Sequence, residues 1–474
     1  SVGEQRARER ARYTRRASIA RGLDVDSCPL NEVGTHIADK TDDGEPIVLT
    51  HEDQIVVFCP TGGGKTLTVG IPVGIDAPGP LVATSTKPEV LDALVEQRAS
   101  RGRIWVFDPL DLAGWPEPMI WNPINGSADS EIATARAKAF TAGMTADDSS
   151  DSSNPFFQTA AGIIIARLLH AAALGECTIV DVISWALDIK ASTAAQDILA
   201  DAENAEIMWS KTLKVATDGA DETISSVRMT LAQKVEPILS RKVLRQMLPR
   251  EGVVEFDATA FVQSQDTLVL ITDDNAATNV APLTTMLLDD VFGASKRVAA
   301  RSMTARLDPI LRIVGDEIAN VAPIPKLPKI LSDSRGHGVQ WFVMFQSMAQ
   351  IIARWGTDGA EQLAASVNGT IVMGGLQDTR GLERFSELVG SADVEQVSTT
   401  LGDRNVATSH NVSTTERRLM RGDQIRQLPE NKALMIYRNA PAMVVDLIPW
   451  FDRPDAAAIE AGIEHIRRIR ISHA

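Results

Sequence analysis

The sequence predicts an α/β fold in which a mainly parallel sheet is interrupted by an inserted all-α domain. The apolar run "VVFC" leads directly into "PTGGGKT", so that a strand, a glycine-rich loop and a helix follow one another. Strand-like runs then alternate with helical stretches, which is the order expected of a parallel sheet with crossover helices. The strand-like runs largely stop between about residues 128 and 255 and resume afterwards, which predicts the helical insertion.

Strand-like runs occur on both sides of this helical segment. Those before it are "IVVFC", "LVATS" and "IWVFD", and those after it are "TLVLIT", "ILRIVGDE", "QWFVMFQS" and "GTIVMGG". Near the end, "ALMIYRN" and "AMVVDLI" predict a hairpin-like pair, followed by a C-terminal helix. Because ligands bind at the carboxyl ends of the strands in such sheets, the residues that follow each run are the candidates for function.

The order of these patterns divides the chain into three parts. Residues 1–30 form an Arg-rich arm, residues 31–127 together with 256–474 form a discontinuous nucleotide-binding domain, and residues 128–255 form the all-α domain. Within the last part, "TADDSSDSSNP" at 145–155 is typical of an exposed loop.

The most apolar stretch of the all-α part is "AAGIIIARLLHAAAL", which ends at Leu174. It carries Arg167 and His170 and falls short of the roughly 20 residues that a bilayer-spanning helix needs. We therefore predict a core helix there.

The first residues allow two interpretations. Arginine recurs nearly every second residue in this arm, at Arg6, Arg8, Arg10, Arg12, Arg15 and Arg16. One interpretation is a solvated, partly helical arm. The other is a juxtamembrane segment that follows the positive-inside rule, with spanning helices upstream of it.

Composition limits the classes of function. The chain has 474 residues, 44% of them hydrophobic, and a formal net charge of -15, which argues against a surface coated for duplex binding and restricts nucleic-acid contacts to local patches. Cys28, Cys59 and Cys177 lie far apart, which excludes a CxxC site and favours a reducing, cytosolic location. The seven histidines show no metal-site spacing either.

The loop "CPTGGGKT" matches the phosphate-binding pattern G-x-x-x-x-G-K-[ST] except at its first position, where Cys59 replaces glycine. The glycines would let backbone N–H groups face the phosphates of ATP, Lys65 would neutralise their oxygens, and Thr66 would bind Mg²⁺. The expected nucleotide-binding residues are Pro60, Thr61, Gly62, Gly63, Gly64, Lys65, Thr66 and Leu67.

A buried strand that ends in an acid should supply the second half of such a site, and "ILRIVGDE" fits this description. Asp316 is the expected partner of Mg²⁺, and Glu317 is the candidate base that activates the attacking water. In the next run, Gln346 is the candidate sensor of the terminal phosphate, whereas capping of the following helix is the alternative role, which Ser347 could equally provide.

Phosphoryl transfer usually needs more positive charge than one lysine supplies, and many motors take an arginine from a neighbouring subunit. The first candidate is Arg335, in the expected loop "SDSRGHG", and the second is Arg380 in "QDTRGL".

These motifs together resemble the coupling-protein ATPases of type IV secretion and conjugation, the TraG/TraD-like family related to FtsK and HerA motors. The resemblance covers about residues 50–125 and 265–450. Besides the phosphate loop, it rests on "ATSTKPEVLDAL", "VFDP", "WNPI", "DEIAN", "LSDSRGHGVQ" and "QSMAQI". The family usually has a glycine where this chain has Cys59.

The resemblance implies a RecA-like P-loop NTPase core that works as a homo-hexameric ring, with ATP and Mg²⁺ between subunits and a central channel for single-stranded DNA. It also implies that Arg335 acts in trans and that the all-α domain meets relaxase or relaxosome proteins. Family members are anchored by membrane helices, so we expect this chain at the cytoplasmic face of the bacterial inner membrane, beside channel components, with its helices removed or supplied by a partner.

Three functions are compatible with these observations. The first is an ATP-hydrolysing coupling protein that recruits DNA or nucleoprotein and pumps it to a conjugation channel. The second is a DNA translocase of the FtsK or HerA type, against which the helical insertion and "WNPI" count. The third is a substrate-recruitment receptor whose ATPase is slow.

Overall fold

The structure is a computed structural model that describes residues 1–15, 22–143, 155–218, 221–273, 280–400 and 409–473. Arg16 lies outside these ranges. The loop expected at 145–155 also lies outside them, apart from its last residue.

Eleven strands of the described ranges form one sheet, and two further strands form a separate antiparallel ribbon. The sheet contains β1 (Gly34–Lys40), β2 (Pro46–Thr50), β3 (Ile55–Phe58), β4 (Leu81–Ser85), β5 (Ile104–Phe107), β6 (Thr267–Ile271), β7 (Leu311–Gly315), β8 (Val339–Phe345), β9 (Gly369–Met373), β12 (Lys432–Tyr437) and β13 (Met443–Leu447). The ribbon pairs β10 (Ser391–Thr400) with β11 (Ser409–Arg418).

The strand order is β2-β1-β13-β12-β9-β3-β8-β7-β4-β6-β5, and the seven strands from β9 to β5 are parallel. β3, which leads into the glycine loop, lies in the middle between β8 and β9 and is buried along its whole length. The predicted mainly parallel sheet is therefore confirmed, and the loop lies at its carboxyl edge.

Four antiparallel strands extend the sheet beyond β9. The hairpin predicted near the end of the chain is confirmed, since Ala433 of β12 pairs with Val445 of β13. The pairing of β1 with β13 and of β2 with β1 was not predicted, because strand patterns indicate elements and not their partners.

In the described residues between β5 and β6, helices are the only regular elements apart from an isolated bridge between Ile120 and Glu255. They are α4 (Ser130–Gly143), α5 (Pro155–Leu174), α6 (Ile179–Leu187), α7 (Thr193–Asp201), α8 (Trp209–Asp218), α9 (Asp221–Val235), α10 (Arg241–Leu244) and α11 (Ala258–Phe261). Phe140 of α4 belongs to the same hydrophobic cluster as Val82 and Leu268 of the sheet. The limits of a separate helical domain, residues 128–255, stay a prediction.

α5 is longer than the sequence pattern indicated. It begins at Pro155 and has 20 residues, so the expectation that this stretch is too short for a membrane span is wrong. Within the described ranges, Phe157–Leu174 alone is long and apolar enough to cross a membrane by length and composition, and 56% of it is buried. Ile164, Leu168 and Leu169 lie in the main hydrophobic cluster, as predicted for a core helix.

The other helices are α1 (Val2–Arg15), α2 (Ile71–Ile75), α3 (Glu89–Ala99), α12 (Ala281–Arg301), α13 (Ile318–Val321), α14 (Leu327–His337), α15 (Met348–Ser366), α16 (Thr379–Val389), α17 (Gly422–Arg426) and α18 (Ala456–His473).

The N-terminal segment is helical but is not a solvated arm, which corrects one of the two interpretations. α1 packs on the sheet, with Ala7 fully buried and Ala11 nearly so. Arg6 donates a hydrogen bond from Nη2 to the hydroxyl of Tyr437 at 2.8 Å. The arginines that suggested solvation are therefore partly used as internal hydrogen-bond donors.

Candidate functional site

The glycine loop begins where β3 ends. The N–H of Cys59 donates to the carbonyl of Phe345 at the end of β8, which fixes the start of the loop against the neighbouring strand. Gly62 and Gly64 have φ of +75° and +87°, a conformation that favours glycine over every other residue. The loop therefore has the backbone that a phosphate cradle needs.

Cys59 and Gly63 are in close contact across this loop. A Cβ on Gly63 would lie 2.6 Å from Sγ of Cys59, so residue 63 must lack a side chain while residue 59 has one. Burial raises the pKa of the Cys59 thiol to about 11, so it is a neutral group at physiological pH. The unusual cysteine acts here as a small buried hydrophobe.

A helix follows the loop, as the sequence predicted. Lys65 has helical dihedral angles, Thr66–Gly70 forms a π-helical turn, and α2 continues from it. The hydroxyl of Thr68 donates to the carbonyl of Gly64 at 3.0 Å and ties the first turn to the loop. The positive end of the helix dipole therefore faces the glycines.

Lys65, Thr66, Asp316 and Glu317 meet at this edge of the sheet. The ammonium nitrogen of Lys65 lies 3.3 Å from Oδ1 of Asp316 and 3.5 Å from Oε1 of Glu317. Thr66 donates a hydrogen bond from Oγ1 to Oδ2 of Asp316 at 2.6 Å. Burial lowers the pKa of Lys65, but the attraction of Asp316 and then of Glu317 outweighs it, and the net pKa is raised. Lys65 is thus protonated at neutral pH.

Thr84 in β4 and Thr86 directly after it position the acid pair, and neither was predicted from the sequence. Thr84, fully buried, donates to the backbone carbonyl of Asp316 at 2.7 Å, and Thr86 donates to Oε2 of Glu317 at 3.3 Å. Glu317 has φ of 52°, a left-handed conformation in which a non-glycine residue stores strain. The polar end of "LVATS", the strand beside β7, was the available signal.

The same cluster has the ligands that Mg²⁺ prefers. Oδ1 of Asp316 is buried and has no hydrogen-bond partner, although it lies near Lys65, while Oδ2 is held by Thr66. Carboxylate and hydroxyl oxygens fit a magnesium ion that keeps several waters and shares phosphate oxygens. The described residues contain no group of three or more His, Cys, Asp or Glu that could hold a metal. Asp316 and Thr66 could therefore hold Mg²⁺ together with a phosphate.

Gln346 and Ser347 follow β8 beside the loop. Ser347 caps α15, since its Oγ accepts from the N–H of Gln350 at 3.2 Å. Asp378, the cap of α16, accepts from the N–H of Met348 at 3.0 Å and joins the two helices at this edge. Ser347 therefore caps α15, and Gln346 does not. The role of Gln346 as a sensor of the terminal phosphate stays a prediction.

Arg335 does not lie in a loop, which corrects the expectation for "SDSRGHG". It belongs to the last turn of α14, which ends at His337 and is separated from β8 by one residue. β8 has seven residues and so spans about 20 Å. Arg335 precedes its start, whereas the loop lies beside its end, so Arg335 is at the opposite edge of the sheet from its own loop.

Arg380 lies at the carboxyl edge of the sheet, opposite the edge at which Arg335 lies. It is the second residue of α16 and is exposed, after the end of β9 and therefore at the edge that carries the glycine loop. A Cβ on Gly375, in the same connection, would lie 3.3 Å from Pro60. Of the two candidate arginines, Arg380 is near its own loop and Arg335 is not.

Solved structures of other proteins share this fold. A bacterial conjugative coupling protein, TrwB in an unbound form, is 16% identical, with a TM-score of 0.63 over 86% of this chain and 88% of that chain. TrwB in complex with a non-hydrolysable ATP analogue matches at 16% identity and a TM-score of 0.59, with 86% and 89% covered. TrwB with ADP and Mg²⁺ gives the same identity and TM-score, with 86% and 88% covered. The RecA-like NTPase fold is therefore confirmed.

A comparison with family models assigns the chain more specifically. The curated proteins include no match to it. In contrast, the family model described as "Type IV secretory system Conjugative DNA transfer" matches residues 16–467, which is nearly the whole chain. The chain therefore belongs to the family of type IV secretory system proteins for conjugative DNA transfer.

Proposed function

We propose that this protein is an ATP-hydrolysing coupling protein that recruits DNA or nucleoprotein and pumps it to a type IV secretion channel as a ring motor. The observation that carries the proposal is the convergence of Lys65, Thr66, Asp316 and Glu317 at the carboxyl edge of the sheet. A lysine, a hydroxyl and two carboxylates in this arrangement are the groups that phosphoryl transfer to water needs.

Each group has a distinct role in the proposed reaction. Gly62, Gly63 and Gly64 bind the phosphates of ATP through backbone N–H groups, and Lys65 neutralises the β- and γ-oxygens. Thr66 and Asp316 would hold Mg²⁺, which would supply charge stabilisation on the phosphate oxygens. The remaining loop residues, Pro60, Thr61 and Leu67, shape the cradle.

Glu317 and Gln346 act on the attacking water. Glu317 accepts its proton, while Thr86 holds the second carboxylate oxygen of Glu317 and fixes its direction. Gln346, directly after β8, lies beside the loop and senses the γ-phosphate.

Arg335 requires a second copy of the chain. Because it lies at the edge opposite its own loop, its guanidinium can stabilise the reacting phosphate of a neighbouring subunit only. A ring of identical subunits, each giving an arginine to the next, satisfies this condition, and a homo-hexamer is the form we propose.

The family supports further proposals about place and partners. We propose that the ring works at the cytoplasmic face of the bacterial inner membrane, with single-stranded DNA in its channel. Relaxase or relaxosome proteins would meet the helical segment, and channel components would receive the cargo.

Steady-state ATP hydrolysis tests the proposal directly. The wild type is compared with Lys65→Ala, Glu317→Gln and Arg335→Ala, with and without single-stranded DNA, across protein concentration. A motor gives a rate that rises more steeply than protein concentration, increases with DNA and is lost in all three variants. Arg380→Ala tests the second candidate arginine, and loss of the rate in that variant with Arg335→Ala unaffected would move the role from Arg335 to Arg380. A rate that is proportional to concentration and indifferent to DNA overturns the ring motor in favour of the slow-ATPase receptor.

Mixing two inactive variants tests the shared site. Lys65→Ala subunits keep Arg335, and Arg335→Ala subunits keep an intact loop, so a mixed ring contains some complete sites. We expect the mixture to recover part of the wild-type rate. A mixture as inactive as its components contradicts an arginine in trans.

A further inference from the structure

Glu52 is a buried carboxylate surrounded by three arginines from three parts of the chain. Its side chain is only 3% exposed. Nη1 of Arg306 lies 2.7 Å from Oε1, Nε of Arg10 lies 2.5 Å from Oε2, and Nε of Arg335 lies 3.6 Å from the same Oε2. This group lies just before β3, at the edge opposite the glycine loop.

Arg306 and Arg10 fix the orientation of this carboxylate. Each takes a different oxygen of Glu52, so rotation of the carboxylate would break at least one charged hydrogen bond. Arg306 comes from the connection between α12 and β7, and Arg10 comes from α1. The direction in which Glu52 faces α14 is therefore set by two separate elements.

The contact with Arg335 is looser and leaves most of its guanidinium available. At 3.6 Å it is an ion pair without a hydrogen bond, and the side chain of Arg335 is 43% exposed. The contact is made through Nε, so the two Nη groups, which carry four of the five N–H donors, can still bind a phosphate. An arginine that is oriented through Nε while its Nη groups remain available can bind a phosphate across a subunit boundary.

We propose that Glu52 is a positioning residue for Arg335, and that Arg10 of α1 fixes Glu52 in the orientation that does so. The proposal rests on the proposed function, because it requires Arg335 to act on the nucleotide of a neighbouring subunit. It gives the N-terminal helix a part in hydrolysis, although α1 packs far from the glycine loop of its own subunit. Glu52 thus acts on a site that its own subunit does not contain.

The mixed assembly separates this role from a structural one. Glu52→Gln is placed either on the Lys65→Ala subunit, which donates the arginine, or on the Arg335→Ala subunit, which donates the loop. We expect complementation to fall about ten- to hundredfold in the first arrangement, the cost of a misplaced group, and to stay unchanged in the second. Equal loss in both arrangements, or loss only in the second, overturns the proposal.

Variants of α1 give a milder test that does not depend on how well Glu52→Gln folds. Arg10→Ala should lower kcat several-fold with binding of an ATP analogue unchanged, since the loop is at the other edge. Arg12→Ala is the matched control, because Arg12 is on the same helix and pairs with Asp26 instead. Equal kcat values for the two variants would overturn the part assigned to α1.

Failure of the proposed function gives a different result. If Lys65→Ala and Arg335→Ala do not complement even with Glu52 intact, the arginine in trans is wrong and the positioning role falls with it. If they complement and Glu52→Gln on the arginine donor changes nothing, the positioning role alone is wrong.

Discussion

The ammonium group of Lys65 and the carboxylate of Asp316 form an ion pair, with 3.3 Å between Nζ and Oδ1. Both side chains are largely buried, at 9% and 8% exposure, so this pair is screened little by solvent. In the proposed function, Lys65 would bind the phosphates and Asp316 would bind the magnesium ion, so neither would remain paired with the other. Binding of ATP with Mg²⁺ must therefore replace this pair by two new ones.

The first prediction concerns this exchange. If Asp316 holds Mg²⁺, Lys65 would be free to bind the phosphates, so we expect Mg²⁺ to tighten binding of a non-hydrolysable ATP analogue to the wild type by about tenfold or more, which is about 1.4 kcal/mol. In Asp316→Asn the amide neither holds the lysine nor favours the metal. The effect of Mg²⁺ should then fall to within about threefold.

Calorimetric titration with Mg²⁺ and with EDTA measures both affinities. Glu317→Gln is the control, since it keeps Asp316 and should keep the dependence on Mg²⁺. An Asp316→Asn protein with the wild-type dependence would show that the metal does not use this carboxylate.

The second prediction concerns the contact between Cys59 and Gly63. Gly63→Ala should weaken analogue binding about tenfold or more, because the added Cβ meets Sγ at 2.6 Å and the loop must shift. Cys59→Ala removes that sulfur, so the double variant should recover part of the affinity. Recovery is incomplete, since the same Cβ lies 3.1 Å from Pro60.

Gly62→Ala is the matched control for this rescue. Nothing lies within 4 Å of a Cβ at residue 62, but its φ of +75° makes any side chain costly by about 1–2 kcal/mol. Cys59→Ala should not improve Gly62→Ala, and equal improvement of both variants would contradict the steric explanation.

The carboxyl edge of the sheet could be predicted because it depends on local patterns. β-branched runs gave the strands, and glycines followed by Lys65 and Thr66 gave the loop. Because these strands are parallel neighbours, the residues that follow β3, β7 and β8 must meet at one edge of the sheet. The sequence alone consequently predicts that Asp316 lies near Lys65.

The opposite edge could not be predicted, since it depends on partners that are distant in sequence. Arg10, Glu52 and Arg306 carry no shared motif, and only the folded chain brings them together. The helical state of Arg335 was missed for a local reason. Two glycines in "SRGHG" indicate a loop, whereas packing of α14 holds the first of them in a helix.

The third prediction concerns Asp53, which joins the start of β3 to the antiparallel strands. It is fully buried, and Oδ2 accepts from the N–H of Thr50 at 2.7 Å and from the hydroxyl of Tyr437 at 2.7 Å, while Oδ1 accepts from Nε of Arg438 at 2.9 Å. Asp53→Asn places a donor among these donors. We expect a loss of roughly 2 kcal/mol in the free energy of unfolding, because Arg438 is partly exposed and regains water.

Chemical denaturation of the two proteins measures this difference. Asp39→Asn on β1 is the control, because Asp39 is 36% exposed and should change the free energy of unfolding by less than about 0.5 kcal/mol. If Asp53→Asn is no less stable than Asp39→Asn, the network does not stabilise the junction.

The fourth prediction uses the two glycines that flank His337. Gly336 lies within α14, and nothing lies within 4 Å of a Cβ placed on it, so Gly336→Ala should stabilise the protein by about 0.5–1 kcal/mol through helix propensity. Gly338 ends the helix with φ of +75°, and its Cβ would lie 2.6 Å from the carbonyl oxygen of Leu307. Gly338→Ala should therefore destabilise the protein by at least about 1 kcal/mol. Thermal unfolding of both variants measures whether each substitution raises or lowers the stability of the protein. A destabilised Gly336→Ala would mean that Arg335 does not lie in a continuous helix.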